Sequence, residues 1–144
     1  MYLVDTNVWL ERLLDQTKAN EVGHFLDRVS SERLFITDFA FHSIGVVMVK
    51  LDRKDGLSRF VQDILIDGAV PLIHLEPEDT QHLLRIIEQF GFDFDDAYQY
   101  SAAEKYNLTI VSLDSDFDRS PVEEKLLQKL EKSNRGFFFE SEPL

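Results

Sequence analysis

The residues of this sequence most suited to chemistry are aspartates that stand where buried strands end or where a helix begins. They are Asp5, Asp95, Asp96, Asp114 and Asp116. Short runs of Leu, Val and Ile precede several of them, as in strands buried on both faces of a sheet. Ligands of open parallel sheets bind just beyond the carboxyl ends of the strands. Carboxylates that converge there repel one another and require a neutralising cation, so the sequence predicts a divalent metal site.

The residues around these aspartates favour a particular kind of metal. Thr6 and Asn7 add oxygen atoms next to Asp5, while Asp114 and Asp116 are two residues apart and point the same way on extended backbone. An oxygen-only ligand set suits Mg²⁺ or Mn²⁺ rather than zinc. Each motif alone also has a structural explanation, because an aspartate can cap a helix and acids are favoured in a first helical turn.

The composition is that of one globular domain. The 144 residues include 44% hydrophobic and 29% charged residues, and we expect a single domain over residues 1–144. The absence of cysteine excludes disulfides, thiolate zinc sites and a cysteine nucleophile. No apolar run approaches the roughly 20 residues that span a bilayer, and no secretory signal is visible. We therefore expect a cytoplasmic protein without membrane association.

The charge of the chain is strongly acidic. A formal net charge of −12 argues against a general nucleic-acid binder, whose usual signature is an excess of basic residues. Bound cations would offset part of this charge at a carboxylate cluster. Basic residues concentrate at Lys50, Arg53, Lys54 and Arg59. This group is either a phosphate-facing patch or a solvated helix end, and the sequence leaves both interpretations open.

Apolar periodicity predicts alternating strands and helices, which is typical of an α/β fold with a mainly parallel sheet. The predicted strands are Tyr2–Val4, Leu34–Thr37, Val70–Leu75 and Thr109–Leu113, with an edge strand or apolar tail at Phe137–Phe139. The predicted helices follow Thr6 and Asp93 and cover Asn20–Val29, Asp38–Leu51, Leu57–Ile66, Pro77–Phe90 and Val122–Leu130. Gly56 is expected to break the chain between two of these helices, and Gly91 to end another.

Taken together, these motifs resemble the PIN domain, the nuclease fold of VapBC-type toxins. The resemblance rests on Asp5-Thr6-Asn7 after the first strand, on Asp96-Ala97 opening a helix, and on Ser112–Phe117 after a later strand. It implies a three-layer α/β/α fold with four or five strands. It also implies that Asp5, Asp96 and Asp114 bind Mg²⁺ or Mn²⁺, with Asp116 as a further ligand or its partner.

The resemblance further implies an activity and partners. The activity is metal-dependent hydrolysis of RNA phosphodiesters by a VapC-like toxin, in which the ion activates water and stabilises charged phosphate oxygens. The implied partners are an RNA substrate, a second copy of the chain and a small antitoxin protein that would cover the acidic site.

One position departs from the family pattern and opens an alternative. The helix after the second strand usually supplies a glutamate, and Ser43 stands there in this chain. A serine hydroxyl is a neutral, weaker ligand, so a PIN module that binds RNA or a protein without cleaving is the alternative function. A haloacid-dehalogenase-type phosphatase would need an aspartate where Asn7 stands. A receiver domain would need an early acidic pair and a late lysine that we do not find.

Overall fold

The structure, a computed structural model, describes residues 1–113 and 138–140. Asp114, Asp116 and the predicted helix Val122–Leu130 lie outside the described residues. The roles predicted for these positions stay predictions.

The central sheet is mainly parallel, as predicted. Its strands are β1 (Tyr2–Val4), β2 (Leu34–Thr37), β3 (Leu72–Ile73), β4 (Thr109–Val111) and β5 (Phe138–Glu140). They lie in the order β3-β2-β1-β4-β5. The first four are parallel to their neighbours, and β5 pairs antiparallel with β4 at the edge. The alternative of an apolar tail for the last segment is wrong, since this segment adds a strand.

Helices connect the strands. They are α1 (Thr6–Leu13), α2 (Ala19–Arg28), α3 (Asp38–Lys50), α4 (Lys54–Phe60), α5 (Thr80–Phe90) and α6 (Phe94–Lys105). Helix α4 continues into a π-helical segment, Val61–Asp67, and short 3-10 turns precede β2 and α5. None of the helices in the described part of the chain has the length and apolar character that crossing a bilayer requires.

The predicted break at Gly56 is wrong, because Gly56 lies within α4. The chain turns earlier, at Asp52, which adopts a positive φ of 56°. A Cβ atom added at Gly56 would lie 3.0 Å from Cε of Met48 in α3. The glycine therefore allows α4 to pack closely against α3 and does not interrupt the helix. By contrast, Gly91 ends α5 in the left-handed conformation, with φ 68°, as predicted.

Successive residues of the central strands face opposite sides of the sheet, and this alternation builds two cores. Val4 packs with residues of α1, α2, α3 and α4. Leu3 packs instead with residues of α5 and α6. On β4, Val111 joins the first core and Ile110 the second. Both faces of the sheet are therefore covered by helices, which confirms the predicted three-layer α/β/α fold.

The strand order fixes where a site can form. From β1 the chain builds outward on one side through β2 and β3, and β4 then returns to the other side of β1. The strand order thus reverses between the neighbouring strands β1 and β4, and a crevice is expected at the carboxyl ends of such a pair. Asp5 follows β1 and Ser112 follows β4, and the N–H of Asp5 donates to the carbonyl of Val111 over 2.9 Å.

Candidate active site

Asp5 lies at the bottom of this crevice, and both of its carboxylate oxygens accept hydrogen bonds. Its side chain is the N-cap of α1, with Oδ1 accepting from the N–H of Thr6 at 2.8 Å. Oδ1 also accepts from Nε2 of Gln99 at 2.9 Å, and Oδ2 accepts from the hydroxyl of Ser112 at 2.9 Å. The residue is only 7% exposed. Asp5 is therefore both a helix cap and an oriented, buried carboxylate, so the two interpretations of this residue are compatible.

Asp96 lines the same cavity as Asp5. Asp93 caps α6 by accepting the N–H of Asp96 at 2.8 Å, which places Asp96 in the first turn of the helix. Asp96 is 9% exposed. A cavity of about 260 Å³ is lined by Asp5, Thr6, Asn7, Leu10, Phe39, Ser43, Asp95, Asp96 and Gln99. Two of the predicted ligands, distant in sequence, thus converge on one cavity.

Gln99 is a site residue that the sequence analysis missed. It is 2% exposed, one helical turn after Asp96, and its amide connects the site to β2. The hydroxyl of Thr37 donates to Oε1 of Gln99 at 2.6 Å and accepts the N–H of Ala40 at 3.0 Å as the N-cap of α3. A buried chain of hydrogen bonds therefore runs from the start of α3 to Asp5. The available signal was a glutamine between apolar neighbours on the buried side of a helix.

Asn7 holds the segment that leads to the remaining predicted ligands. Its Nδ2 donates to the hydroxyl of Ser112 at 3.2 Å, and its Oδ1 accepts the N–H of Leu113 at 3.1 Å. Both bonds tie the start of α1 to the end of β4. Leu113 is the residue before Asp114 in the sequence. Asp114 and Asp116 themselves lie outside the described residues, so their role as ligands remains a prediction.

The donors at the cavity fit a hard divalent cation. Oxygen is the ligand atom that Mg²⁺ and Mn²⁺ prefer. It is the only polar atom type in four side chains that line the cavity: Asp5, Asp96, Thr6 and Ser43. The hydroxyl oxygen of Thr6 is buried without a hydrogen-bond partner among the described residues, so it retains capacity for a ligand. Within that part of the chain, no three His, Asp or Glu side chains cluster closely enough to hold an ion by themselves. An ion at this cavity would therefore need a further acidic ligand from outside the described residues.

Two ionisable side chains in this region, Asp95 and Tyr98, have pKa values above their ordinary values. Loss of solvation raises the pKa of Asp95, and repulsion from Asp93 adds to the shift. Near the cavity, burial raises the pKa of Tyr98 to about 12, and its hydrogen bond to Asp38 contributes in the same direction. The hydroxyl of Tyr98 is therefore harder to ionise than that of an ordinary tyrosine.

His42 and the basic residues from Lys50 to Arg59 lie away from the cavity. His42 is exposed and lines a different, apolar surface of α3 with Val46 and Val49. The basic residues Lys50, Arg53, Lys54 and Arg59 are all exposed, at the end of α3 and in or next to α4. None of the four lines the cavity. This position favours the solvated helix end over a phosphate-facing patch at the site.

The family assignment follows from comparison with known proteins. The model of the PIN domain matches residues 2–122, which is most of the chain. The chain belongs to the PIN domain family. No protein of curated function matches the sequence. The match covers β1 to β4 and the crevice described above, so the two convergent aspartates lie within the PIN domain.

Solved structures share the fold of this PIN domain. FitAcB from Neisseria gonorrhoeae is 23% identical, with a TM-score of 0.66 and coverage of 83% of this chain and 92% of that chain. The toxin VapC20 from Mycobacterium tuberculosis, described as cleaving the Sarcin-Ricin loop, is 11% identical, with a TM-score of 0.70 and coverage of 82% and 93%. A toxin-antitoxin complex from Klebsiella pneumoniae is 16% identical, with a TM-score of 0.67 and coverage of 84% and 93%.

Proposed function

We propose that this PIN domain is a VapC-like toxin, a Mg²⁺- or Mn²⁺-dependent ribonuclease that hydrolyses RNA phosphodiesters in the cytoplasm. The observation that carries the proposal is the convergence of Asp5 and Asp96 on one cavity. Family membership and the toxins among the structural neighbours support it. By the same comparison, we propose a small antitoxin protein and a second copy of the chain as partners.

The residues have separate tasks in this proposal. Asp5 and Asp96 would hold the ion, with Asp114 and Asp116 completing the ligand set. When bound, the ion supplies activation of water and stabilisation of the charge that develops on phosphate oxygens. Gln99 and Ser112 keep the carboxylate of Asp5 in one orientation, so that it does not have to reorganise when substrate binds.

The burial of Asp5 and Asp96 affects how the cavity interacts with cations and with RNA. Both are less than a tenth exposed, so water has limited access to them and their charges are poorly screened. Poorly screened carboxylates attract a cation strongly and repel a phosphate when no cation is present. RNA binding at this cavity is therefore expected to depend on the metal.

The second candidate function is a PIN module that binds without cleaving, and Ser43 is the observation in its favour. Ser43 lines the cavity together with Asp5 and Asp96, so the missing glutamate would have faced the same space. The neutral hydroxyl of Ser43 attracts a second cation less strongly than a glutamate carboxylate at this wall would. Cleavage by the wild-type protein separates the two functions.

The test is an RNA cleavage assay with purified protein. The wild type is incubated with RNA in Mg²⁺, in Mn²⁺ and in excess EDTA, next to Asp96→Asn. We expect cleavage by the wild type that requires the ion, and no detectable cleavage by Asp96→Asn. Absence of cleavage in both ions would rule out the nuclease proposal and leave the binding module, whereas equal cleavage by Asp96→Asn would rule out the proposed site.

A further inference from the structure

Three aromatic side chains form a continuous strip at the edge of the cavity, which we call the aromatic strip: Phe39, Tyr98 and Phe94. The ring centroids of Phe39 and Tyr98 are 5.7 Å apart with the planes tilted by 40°. Those of Phe94 and Tyr98 are 6.2 Å apart with a tilt of 37°. The strip joins two helices, because Phe39 belongs to α3 and the other two residues belong to α6.

The outer end of the strip is open to solvent. Phe94 is 54% exposed, so its ring offers a flat apolar face to solvent. Packing of the sheet does not require an apolar residue at this position, since Phe94 belongs to neither of the two cores. Its neighbours in the first turn of α6, Asp95 and Asp96, line the cavity.

The centre of the strip is held rigidly. The hydroxyl of Tyr98 donates to Oδ1 of Asp38 at 2.8 Å and accepts the N–H of Leu75 at 3.0 Å. These two bonds fix the ring between α3 and the segment after β3. A flat group that stacks on the strip would therefore meet a surface with little conformational freedom to lose.

The inner end of the strip reaches the acids. Phe39 lines the same cavity as Asp5 and Asp96. A phosphodiester located at these acids would thus have its neighbouring nucleotide within reach of the strip. The net charge of −12 gives the chain little general attraction for RNA, and the basic residues Lys50, Arg53, Lys54 and Arg59 do not line the cavity. Aromatic stacking provides affinity for nucleotides without relying on positive charge.

We propose that the aromatic strip stacks a nucleobase of the RNA next to the phosphate that is cleaved, so that Phe94 is a residue that positions the substrate. The inference rests on the proposed function for the location of the phosphate. Bases of a continuous duplex are stacked on each other and cannot lie on a protein ring, whereas bases of loops and single strands can. Phe94 provides the exposed face, and Tyr98 and Phe39 support it.

The experiment measures binding by fluorescence anisotropy with a labelled uridine hexaribonucleotide. Ca²⁺ replaces Mg²⁺ so that the acids are neutralised by a cation that takes oxygen ligands. Wild type is compared with Phe94→Ala, Phe94→Leu and Phe94→Trp. We expect Ala and Leu to weaken binding by roughly 10- to 100-fold and Trp to retain it, because stacking requires an aromatic ring and not only an apolar side chain.

A matched control and a second probe make the result specific to stacking. Tyr106→Ala removes another exposed aromatic residue, at the opposite end of α6 about 18 Å along the helix axis, and should leave the affinity unchanged. An abasic oligomer of the same length should bind equally to the wild type and to Phe94→Ala. Thermal unfolding of each variant confirms that it is folded.

The outcomes separate this inference from the proposed function. Equal binding of the hexanucleotide by wild type, Ala and Leu variants, or no binding by the wild type, would overturn the stacking proposal. Stacking would also be overturned if Phe94→Ala lost contact with a protein partner and kept its affinity for the hexanucleotide. If the wild type cleaves RNA and the Phe94 variants cleave equally well, the nuclease function stands and stacking does not. If binding depends on Phe94 without any cleavage, stacking stands and the nuclease function does not.

Discussion

Gln99 donates a hydrogen bond from Nε2 to Oδ1 of Asp5 over 2.9 Å, and this bond connects α6 to the end of β1 inside the protein. Both side chains are less than a tenth exposed. The amide is itself held by Thr37, whose hydroxyl donates to Oε1 at 2.6 Å. The orientation of the Asp5 carboxylate is therefore determined by β2 and α6 as well as by its own helix. Partners of this kind commonly decide how well a carboxylate binds a metal ion.

Replacement of Gln99 should weaken both the fold and the binding of a metal ion. Gln99→Leu removes the donor to Asp5 and leaves the Thr37 hydroxyl without its acceptor, which we expect to cost about 1–3 kcal/mol of unfolding free energy. Mn²⁺ affinity and cleavage rate should fall by roughly 10- to 100-fold. Calorimetric titration and urea denaturation measure the two effects.

Thr37 provides the control for Gln99. Thr37→Ser keeps the hydroxyl that caps α3 and holds the amide, so it should behave as the wild type. Thr37→Val lacks the hydroxyl and should resemble Gln99→Leu. If Gln99→Leu lowered stability while the folded protein kept its Mn²⁺ affinity, Gln99 would have only a structural role.

Ser43 is the position where an added carboxylate should strengthen the site. Ser43→Glu places a negative charge at a cavity wall that already includes Asp5 and Asp96. We expect tighter Mn²⁺ binding and faster RNA cleavage, or cleavage where the wild type shows none. Ser43→Gln has nearly the same shape without the charge and should give neither effect. Weaker binding by Ser43→Glu than by Ser43→Gln would show that this wall does not contact the ion.

Acid stability should depend on the pair of Asp79 and Lys105. Nζ of Lys105 lies 2.6 Å from Oδ2 of Asp79, and this hydrogen bond, followed by the one from the N–H of Glu76, lowers the pKa of Asp79. A carboxyl whose pKa is lower in the folded state stabilises the protein above its unfolded pKa, and this contribution is lost as the pH falls through the folded value.

Asp79→Asn should therefore reduce the melting temperature near pH 7 and leave it almost unchanged well below pH 3, where the wild-type carboxyl is also protonated. The asparagine carbonyl can still accept the N–H of Glu76, which preserves the local turn. Melting curves from pH 2 to pH 7 measure the effect. The linkage would be wrong if the difference between the two proteins were constant over this range.

Much of the fold was predictable because it follows from local periodicity. Apolar runs located β1, β2 and β4, and cap residues such as Asp93 and Gly91 located helix ends. The segment around Pro71 was less predictable, since the observed strand β3 is limited to Leu72–Ile73. The carbonyl of Pro71 accepts the N–H of Ile36, but proline has no N–H to extend the ladder.

The site was predictable only in part. Asp5 and Asp96 could be placed together because the topology of a parallel sheet brings strand ends and helix starts to one edge. Gln99 and Thr37 could not, because their role depends on a contact between residues 62 positions apart in sequence. Phe94 follows the helical spacing of the apolar stripe of α6, and only the structure shows that it is exposed.

A calorimetric titration with Mn²⁺ of the wild type, Asp5→Asn and Asp96→Asn tests whether the two aspartates share one cation. If they do, each substitution alone should abolish or strongly weaken the binding that the wild type shows. Melting temperatures of the variants establish that they remain folded. If the wild type bound no Mn²⁺, or if either folded variant bound it as tightly as the wild type, the shared metal site would be contradicted.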